Sequence, residues 1–289
     1  DSYFILNHNL IDIVPDLKDL SDLSLTNNFI REILDELNED IFEGLDARIL
    51  MLSFNKIEII GNNTFRGFKS LKSLVLNNNK LSSLTADIFG TSLPNLLEFS
   101  VSSNRISELN SDLFKFTLNV DIFSISYNKL EILPVDIFAH LRGLKFLYMQ
   151  DNLIEELTES HIESLKSLKY LSIDHNKLTF IPLNQDSFQN LEEMRIGGNP
   201  WQCACLDEVQ NFLSTKNITF IKNYYFDGRC PVCIPTYFQH CEKSTHFARW
   251  ARIYEKYNTP SAGQCRIKYI VFEVIREIKE LCNTYALYY

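Results

Sequence analysis

The stretch LKSLVLNNNKL at residues 71–81 decides the fold, because its leucines and its last asparagine recur along most of the chain. It returns as LSDLSLTNNFI at 20–30, LKFLYMQDNLI at 144–154 and LKYLSIDHNKL at 168–178. Between residues 104 and 176 the asparagine recurs every 24 residues. A fixed period of this length indicates stacked repeats. Alignment on this residue gives nine units, at Asn9, Asn28, Asn55, Asn79, Asn104, Asn128, Asn152, Asn176 and Asn199.

Each position of the repeat has a structural explanation. Alternating apolar residues such as Leu74 and Leu76 predict a short strand with one face turned inward. The asparagine follows the strand, and we expect its amide to bond backbone groups of neighbouring turns. About ten residues later a large apolar residue predicts an aromatic spine under the convex side, formed by Phe65, Phe89, Phe114, Phe138 and Phe188, with Ile162 in one unit.

The pattern LxxLxLxxNxL resembles the leucine-rich repeat family. The resemblance implies an α/β solenoid, a horseshoe of about nine 24-residue repeats with a parallel β-sheet on its concave face. Stacked repeats leave apolar edges open at both ends. The segment GGNPWQCACLDEVQNFL at 197–213 breaks the pattern, and we expect it to close the stack with a helix that carries Leu206, Val209, Phe212 and Leu213.

The NPWxCxC start of this segment makes the chain similar to leucine-rich repeat proteins of the animal extracellular space. These include Toll-like receptor ectodomains, Slit-like guidance proteins and secreted insect immune proteins. The resemblance covers residues 1 to about 233. The chain begins inside a repeat, so we expect either a longer native chain or another segment over that end. The predicted domains are repeats at 1–199, a cysteine-rich C-terminal cap at 200–241 and a helical hairpin tail at 242–289.

The seven cysteines all lie in the cap and the tail. The resemblance implies disulfides in an oxidising compartment, with Cys203–Cys230 and either Cys205–Cys233 or Cys205–Cys241. A helical hairpin would bring Cys241 near Cys282. Because the count is odd, one thiol is left free or links two chains, and we expect Cys265 first and Cys233 second. Zinc bound by Cys203, Cys205, Cys230 and Cys233 is the alternative.

The tail contains the strongest helix pattern, RIKYIVFEVIREIKELC at 266–282, with apolar residues along one face. This face either packs on the cap or joins a second chain to form a homo- or heterodimer. No apolar run is long enough to cross a membrane, and Asn62 and Asn217 begin glycosylation sequons. We therefore expect a secreted, extracellular protein. The net charge of −9 argues against nucleic acid as the partner.

The concave face is predicted from the residues six, four and two positions before each asparagine. Most of them are small and polar, but Ile122, Tyr127, Phe146, Tyr148 and Tyr170 form an aromatic group. Such a group resembles a protein-binding hot spot, although exposed aromatics are also ordinary in strands. A smaller apolar pair is Ile49 and Met51. The predicted ligand-binding residues are Tyr127, Phe146, Tyr148, Gln150, Tyr170, Asp174 and His175.

No GxSxG, HExxH or GxxxxGK[ST] motif is present, so we expect no enzyme activity, no cofactor and no metal. The predicted function is recognition of a protein or other macromolecular ligand through the concave face. The resemblance favours innate immunity, with assembly through the tail. The alternatives are a cell-adhesion, guidance or matrix protein, or a secreted inhibitor.

Overall fold

The computed structural model of the chain describes residues 3–9, 22–26, 28, 32–33, 42, 45–221, 233 and 241. In chain order its strands are β1 (Tyr3–Ile5), β2 (Asp22–Ser24), β3 (Glu32–Ile33), β4 (Ile49–Met51), β5 (Ile59–Ile60), β6 (Ser73–Val75), β7 (Glu98–Ser100), β8 (Ile122–Ser124), β9 (Phe146–Tyr148), β10 (Tyr170–Ser172), β11 (Glu193–Arg195) and β12 (Thr219–Ile221). Its helices are α1 (Glu159–Ser164), α2 (Cys203–Thr215) and a short 3₁₀ helix (Ala86–Ile88).

Ten of these strands form one parallel sheet, in the order β1-β2-β4-β6-β7-β8-β9-β10-β11-β12, and β3 pairs with β5 on its own. Nine of the ten begin six residues before a repeat asparagine and end four before it, which confirms the predicted register. In the eight strands of this sheet from β2 to β11 the middle residue is buried, and Leu147 and Leu171 are fully so. The flanking residues form the concave surface of a solenoid, as the leucine pattern predicts.

The repeat asparagines form a buried series between turns, which we call the asparagine ladder. Asn128 Nδ2 donates to the carbonyl of Ile125 in its own repeat and to that of Val101 in the preceding repeat, both at 3.1 Å. Its Oδ1 accepts from the Ile106 N–H at 3.0 Å. Asn79, Asn104, Asn152 and Asn176 make the same three kinds of bond. Each amide therefore satisfies buried backbone groups of two repeats at once.

The predicted spine phenylalanines are all buried, but of these five only Phe65 and Phe89 are in ring contact with each other, at 6.3 Å. Phe99 and Phe123 replace leucine in the middle of two strands, and their rings lie 5.8 Å apart. Phe89 contacts Phe99 at 5.6 Å, and Phe114 contacts Phe123 at 4.9 Å. The larger strand side chains reach the spine and join both layers into one aromatic core.

His161 occupies a buried place beside Ile162, where its ring meets the edge of Phe138 at 5.9 Å. Its Nδ1 accepts from the Thr158 N–H at 3.1 Å and its Nε2 lies 2.9 Å from the Pro134 carbonyl. The imidazole is therefore the neutral tautomer with its proton on Nε2. Burial lowers the pKa of His161, while the Pro134 carbonyl, Glu156 and Asp136 act in the opposite direction.

The segment after Asn199 covers the end of the solenoid. Trp201 is buried and its indole N–H donates to the Ile196 carbonyl at 2.8 Å. In α2, Leu206, Val209 and Leu213 are buried as predicted, whereas Phe212 is half-buried. β12 then pairs with β11 and extends the sheet by one strand beyond the repeats.

Two disulfides tie α2 to later parts of the chain. Cys203 is bonded to Cys233 and Cys205 to Cys241, with Cα atoms 4.8 and 4.5 Å apart. The predicted Cys203–Cys230 bridge is therefore wrong, and of the two alternatives for Cys205 the structure has Cys241. Cys203 and Cys205 lie two residues apart in the first turn of α2, so their side chains point about 200° apart around its axis and face different segments.

These bridges also correct three other expectations about the cysteines. Cys241 is not available for Cys282, and Cys233 is not a free thiol. Zinc at the four predicted ligands is contradicted, because three of those four sulfurs are in disulfides. Cys230, Cys265, Cys282 and the tail at 242–289 lie outside the described residues. Within the described residues no helix has the length and apolar character to span a bilayer.

The asparagine ladder predicts a large loss of stability in Asn128→Ala, about 3 kcal/mol or more, because three buried backbone groups lose a partner. The matched control is Asn119→Ala, since Asn119 is exposed and its side chain bonds a single carbonyl, that of Pro94. We expect this control to cost less than about 1 kcal/mol. Urea unfolding measures both, and equal losses in the two variants would contradict the ladder.

The buried neutral His161 predicts acid sensitivity. Because folding lowers its pKa, the unfolded chain binds the proton more readily, so this contribution to stability is complete above pH 6.5 and is lost as the pH falls below it. Between pH 7 and 5 the unfolding free energy should fall more steeply than in His161→Gln, by up to about 1.4 kcal/mol per pH unit. If the unfolding free energies of the wild type and His161→Gln changed in parallel with pH, His161 would not be the source of the acid sensitivity.

Candidate ligand-binding site

Five residues on neighbouring repeats, Ile122, Tyr127, Phe146, Tyr148 and Tyr170, form what we call the aromatic patch. In the sheet Phe146 lies between Ile122 and Tyr170, and its Cα is paired with both. All three are half-buried and belong to the concave face. Four members of the sequence-predicted group thus lie on three adjacent strands, β8, β9 and β10, and Tyr127 follows β8.

The two strand tyrosines of the patch are in ring contact. Tyr148 is paired across the sheet with Ser172, a small and buried residue, so the ring of Tyr170 reaches diagonally towards it. The ring centroids lie 4.9 Å apart with an angle of 38° between the planes. The pair presents a continuous half-buried aromatic surface.

Burial raises the pKa of both tyrosines, so their hydroxyls remain protonated donors at neutral pH. Glu193 and Arg195 on β11 lie beside them and act on these pKa values in opposite directions, Glu193 raising and Arg195 lowering them. The carboxylate of Glu193 and the Arg195 guanidinium lie 3.7 Å apart. The C-terminal flank of the patch is therefore charged but locally balanced.

Tyr127 has a backbone conformation that tyrosine rarely adopts. Its φ is 55°, in the left-handed region, where Gly, Asn and Asp are the tolerated residues. The residue before the asparagine has positive φ in eight described repeats, and is His8, Phe54, Asn78, Ser103, Tyr127, Asp151, His175 or Gly198. Phe54 and Tyr127 are the two bulky residues among them, and both are more than half exposed. Such outliers are often retained for function.

Tyr127 is joined to the next repeats by polar contacts. Its phenol donates a hydrogen bond to the Asp151 carboxylate, and its N–H donates to the Gln150 carbonyl at 3.0 Å. Burial raises the pKa of Asp151, while His175 and the Tyr127 hydrogen bond lower it. The Asp151 N–H in turn donates to the Asp174 carbonyl at 3.0 Å. These bonds place Tyr127, Asp151 and Asp174 in consecutive turns beside the patch.

The predicted polar rim differs from the structure at one residue. His175 is exposed and Gln150 half-buried, but Asp174 is only 6% exposed. Asp174 was expected in an exposed rim, and it is buried because its short side chain accepts a 2.6 Å hydrogen bond from the Ser172 hydroxyl. Its carboxylate therefore lies at the base of the site.

Asp151 was missed by the sequence analysis. The signal was present, because Asp151 occupies the same repeat position, directly before the asparagine, as the predicted residues Tyr127 and His175.

A row of polar side chains crosses the concave face two residues before each asparagine, and its bonding changes near the patch. On the N-terminal side Asn77 Oδ1 accepts from the Ser100 hydroxyl and the Ser102 N–H, at 2.7 and 2.8 Å. At the two positions after Ser102, the buried atoms Ser126 Oγ and Gln150 Oε1 have no hydrogen-bond partner. Buried polar atoms are usually satisfied, so these two atoms indicate a place where a ligand completes the bonding.

The absence of a side chain at Gly198 leaves space for the His175 ring on the C-terminal side of the site. A Cβ atom at Gly198 would lie 2.5 Å from the His175 Nδ1, and the residue has a φ of +65°. Glycine is therefore required for both space and backbone conformation.

Two leucine-rich repeat family models match the chain, one over residues 94–154 and one over residues 70–92. The longer match contains the ladder residues Asn104, Asn128 and Asn152. Residues 70–92 and 94–154 therefore consist of leucine-rich repeats. No curated protein sequence matches it.

A solved leucine-rich repeat protein of Leptospira interrogans has the same fold. It is 23% identical, with a TM-score of 0.64, and the match covers 76% of this chain and 60% of that chain. Leucine-rich repeat domains generally mediate protein binding, and their curvature creates an extended concave binding surface. The aromatic patch lies on the concave face of the strands described above.

The conformation of Tyr127 predicts that its side chain serves binding more than folding. Tyr127→Asn relieves the backbone cost and should leave the unfolding free energy within about 1 kcal/mol of the wild type. The reciprocal control, Asn78→Tyr, places tyrosine at the same repeat position and should destabilise by about 1 kcal/mol. Thermal or urea unfolding compares them. A loss above about 2 kcal/mol in Tyr127→Asn would assign the tyrosine to stability instead.

Proposed function

We propose that this leucine-rich repeat protein binds a protein ligand through the aromatic patch and has no catalytic role. The observation that carries the proposal is the half-exposed Tyr148–Tyr170 pair, with Tyr127 held beside it in an unfavourable conformation. Tyrosine is enriched in binding hot spots because it contributes a large contact area and a polar hydroxyl. The rigid parallel sheet beneath the patch pre-organises these side chains, which lowers the entropic cost of binding.

We also propose that the protein is secreted. The two disulfides support this, because such bonds form and persist in oxidising compartments. Asn62 and Asn217 of the sequons are both exposed. Asn62 follows β5 and Asn217 follows α2, so neither belongs to the concave strands. Glycans on these residues would leave the aromatic patch open to a ligand.

Innate-immune recognition is the more specific role that we propose, supported by the resemblance to secreted insect leucine-rich immune proteins. Such a protein would assemble through its tail. Seven cysteines cannot all pair within one chain, and four of them are already in disulfides. We therefore expect the intact mass of the protein to be that of a dimer and to halve on reduction. A monomeric mass under non-reducing conditions would contradict assembly through a cysteine.

The binding proposal is tested by screening the immobilised full chain against a panel of extracellular proteins. Each ligand found is then measured against the double variant Tyr148→Ala/Tyr170→Ala, where we expect affinity to fall by about 100-fold, because hot-spot truncations cost 2 kcal/mol or more. The control is Ile132→Ala, which removes a side chain that is 76% exposed and outside the sheet. Ligands that bind the double variant normally and lose affinity for the control would refute the patch.

A further inference from the structure

The chemistry of the aromatic patch selects the group that it binds. Around Tyr148 and Tyr170 carboxylates outnumber cations. Asp174 and Glu193 raise the pKa of Tyr170, and the Arg195 guanidinium lowers it. Asp151 belongs to the same repeat as Tyr148, three residues further along the chain. The faces of the two tyrosine rings add a region of negative potential. A ligand group with several donors and a positive charge would complement the carboxylates and the ring faces.

The buried polar atoms beside the acidic residues are independent evidence for a ligand. Ser126 is 2% exposed and its hydroxyl has no partner, and it lies directly before Tyr127 and one repeat before Gln150. The corresponding hydroxyl of Ser102, one repeat earlier, lies 2.6 Å from the Ser124 hydroxyl. The polar row is thus satisfied at Asn77 and Ser102 and incomplete at Ser126 and Gln150.

The charges near the patch favour a cation. Asp151, Asp174 and Glu193 supply three carboxylates, against the Arg195 guanidinium, which lies 3.7 Å from Glu193. The other group that counteracts these carboxylates is His175, which lowers the pKa of Asp151. Farther along the strands, Lys145 and Lys169 are each paired with a carboxylate at 2.7 Å, to Asp121 and Glu192. The net charge of −9 for the whole chain attracts a basic partner as well.

We propose that the aromatic patch captures an arginine side chain of the protein ligand, with the guanidinium stacked on the Tyr148–Tyr170 pair and donating to Asp151. This inference rests on the proposed function and specifies the partner's chemistry. A guanidinium is planar, carries five N–H donors and stacks on aromatic rings. Its charge gains from the ring faces and from the carboxylates together. A neutral or acidic side chain would leave the carboxylates uncompensated.

The experiment uses the full chain and two blocked tripeptides, acetyl-Gly-Arg-Gly-amide and the same peptide with citrulline, which keeps the shape of arginine without its charge. Saturation-transfer NMR measures both dissociation constants. We expect the arginine peptide to bind about five-fold more tightly or better, the scale of a charged contact at a partly exposed site. Asp151→Asn, which keeps the side-chain shape, should reduce this preference to within about two-fold.

The matched control is Asp136→Asn, which removes an exposed carboxylate outside the sheet and should leave the arginine preference unchanged. Four results would overturn the inference: no measurable binding, equal binding of the two peptides, a preference that survives Asp151→Asn, or a lysine peptide that binds as tightly as the arginine peptide. If a protein ligand still requires Tyr148 and Tyr170 in that case, the proposed function stands and only the arginine assignment fails.

Discussion

The amide of the repeat asparagine is the interaction on which the rest of this structure depends. A strand of three residues cannot supply hydrogen-bond partners for the backbone groups of the turn that follows it. The next turn begins inside an apolar core, where water does not supply them. Asn128 resolves this by donating to carbonyls of two repeats and accepting an N–H from the earlier one. Because the asparagines from Asn79 to Asn199 make the same bonds, the turns are held at one spacing and the strands stay in register. The positions facing outward are then free to vary, and the candidate site consists of such positions.

The same constraint produces the unusual feature of the site. The asparagine amide fits between repeats when the preceding residue turns through the left-handed region, and eight described repeats have positive φ there. The side chain at that place points away from the core, as the exposure of Phe54, Tyr127 and His175 shows. Each of these repeats thus has one outward-facing position with a left-handed backbone conformation. Gly198 and Asn78 adopt this conformation easily, whereas Tyr127 does not. A tyrosine kept there, next to Tyr148 and Tyr170, is the strongest local indication of a binding surface.

The sheet could be predicted from the sequence because only a few apolar residue types are tolerated at the buried, inward-facing positions. The fixed distance of each strand from its repeat asparagine then locates the strands. The disulfide pairs could not, since the spacing of Cys203 and Cys205 allows several partners and the choice depends on how α2 faces later segments. The burial of Asp174 could not be predicted either, because it depends on the hydrogen bond that its carboxylate accepts from the Ser172 hydroxyl. The missing partner of the Ser126 hydroxyl became visible only when the repeats were stacked.

The most direct test of the central claim is oxidative footprinting of the tyrosines with and without a bound protein ligand. Tyr127, Tyr148 and Tyr170 are exposed or half-buried in the free chain, so reagent should reach them. The account predicts that the ligand suppresses modification at all three while Phe54, exposed at the same repeat position nearer the N-terminus, reacts as before. Unchanged reactivity of the three tyrosines in the complex would contradict the claim that this concave patch is the binding surface.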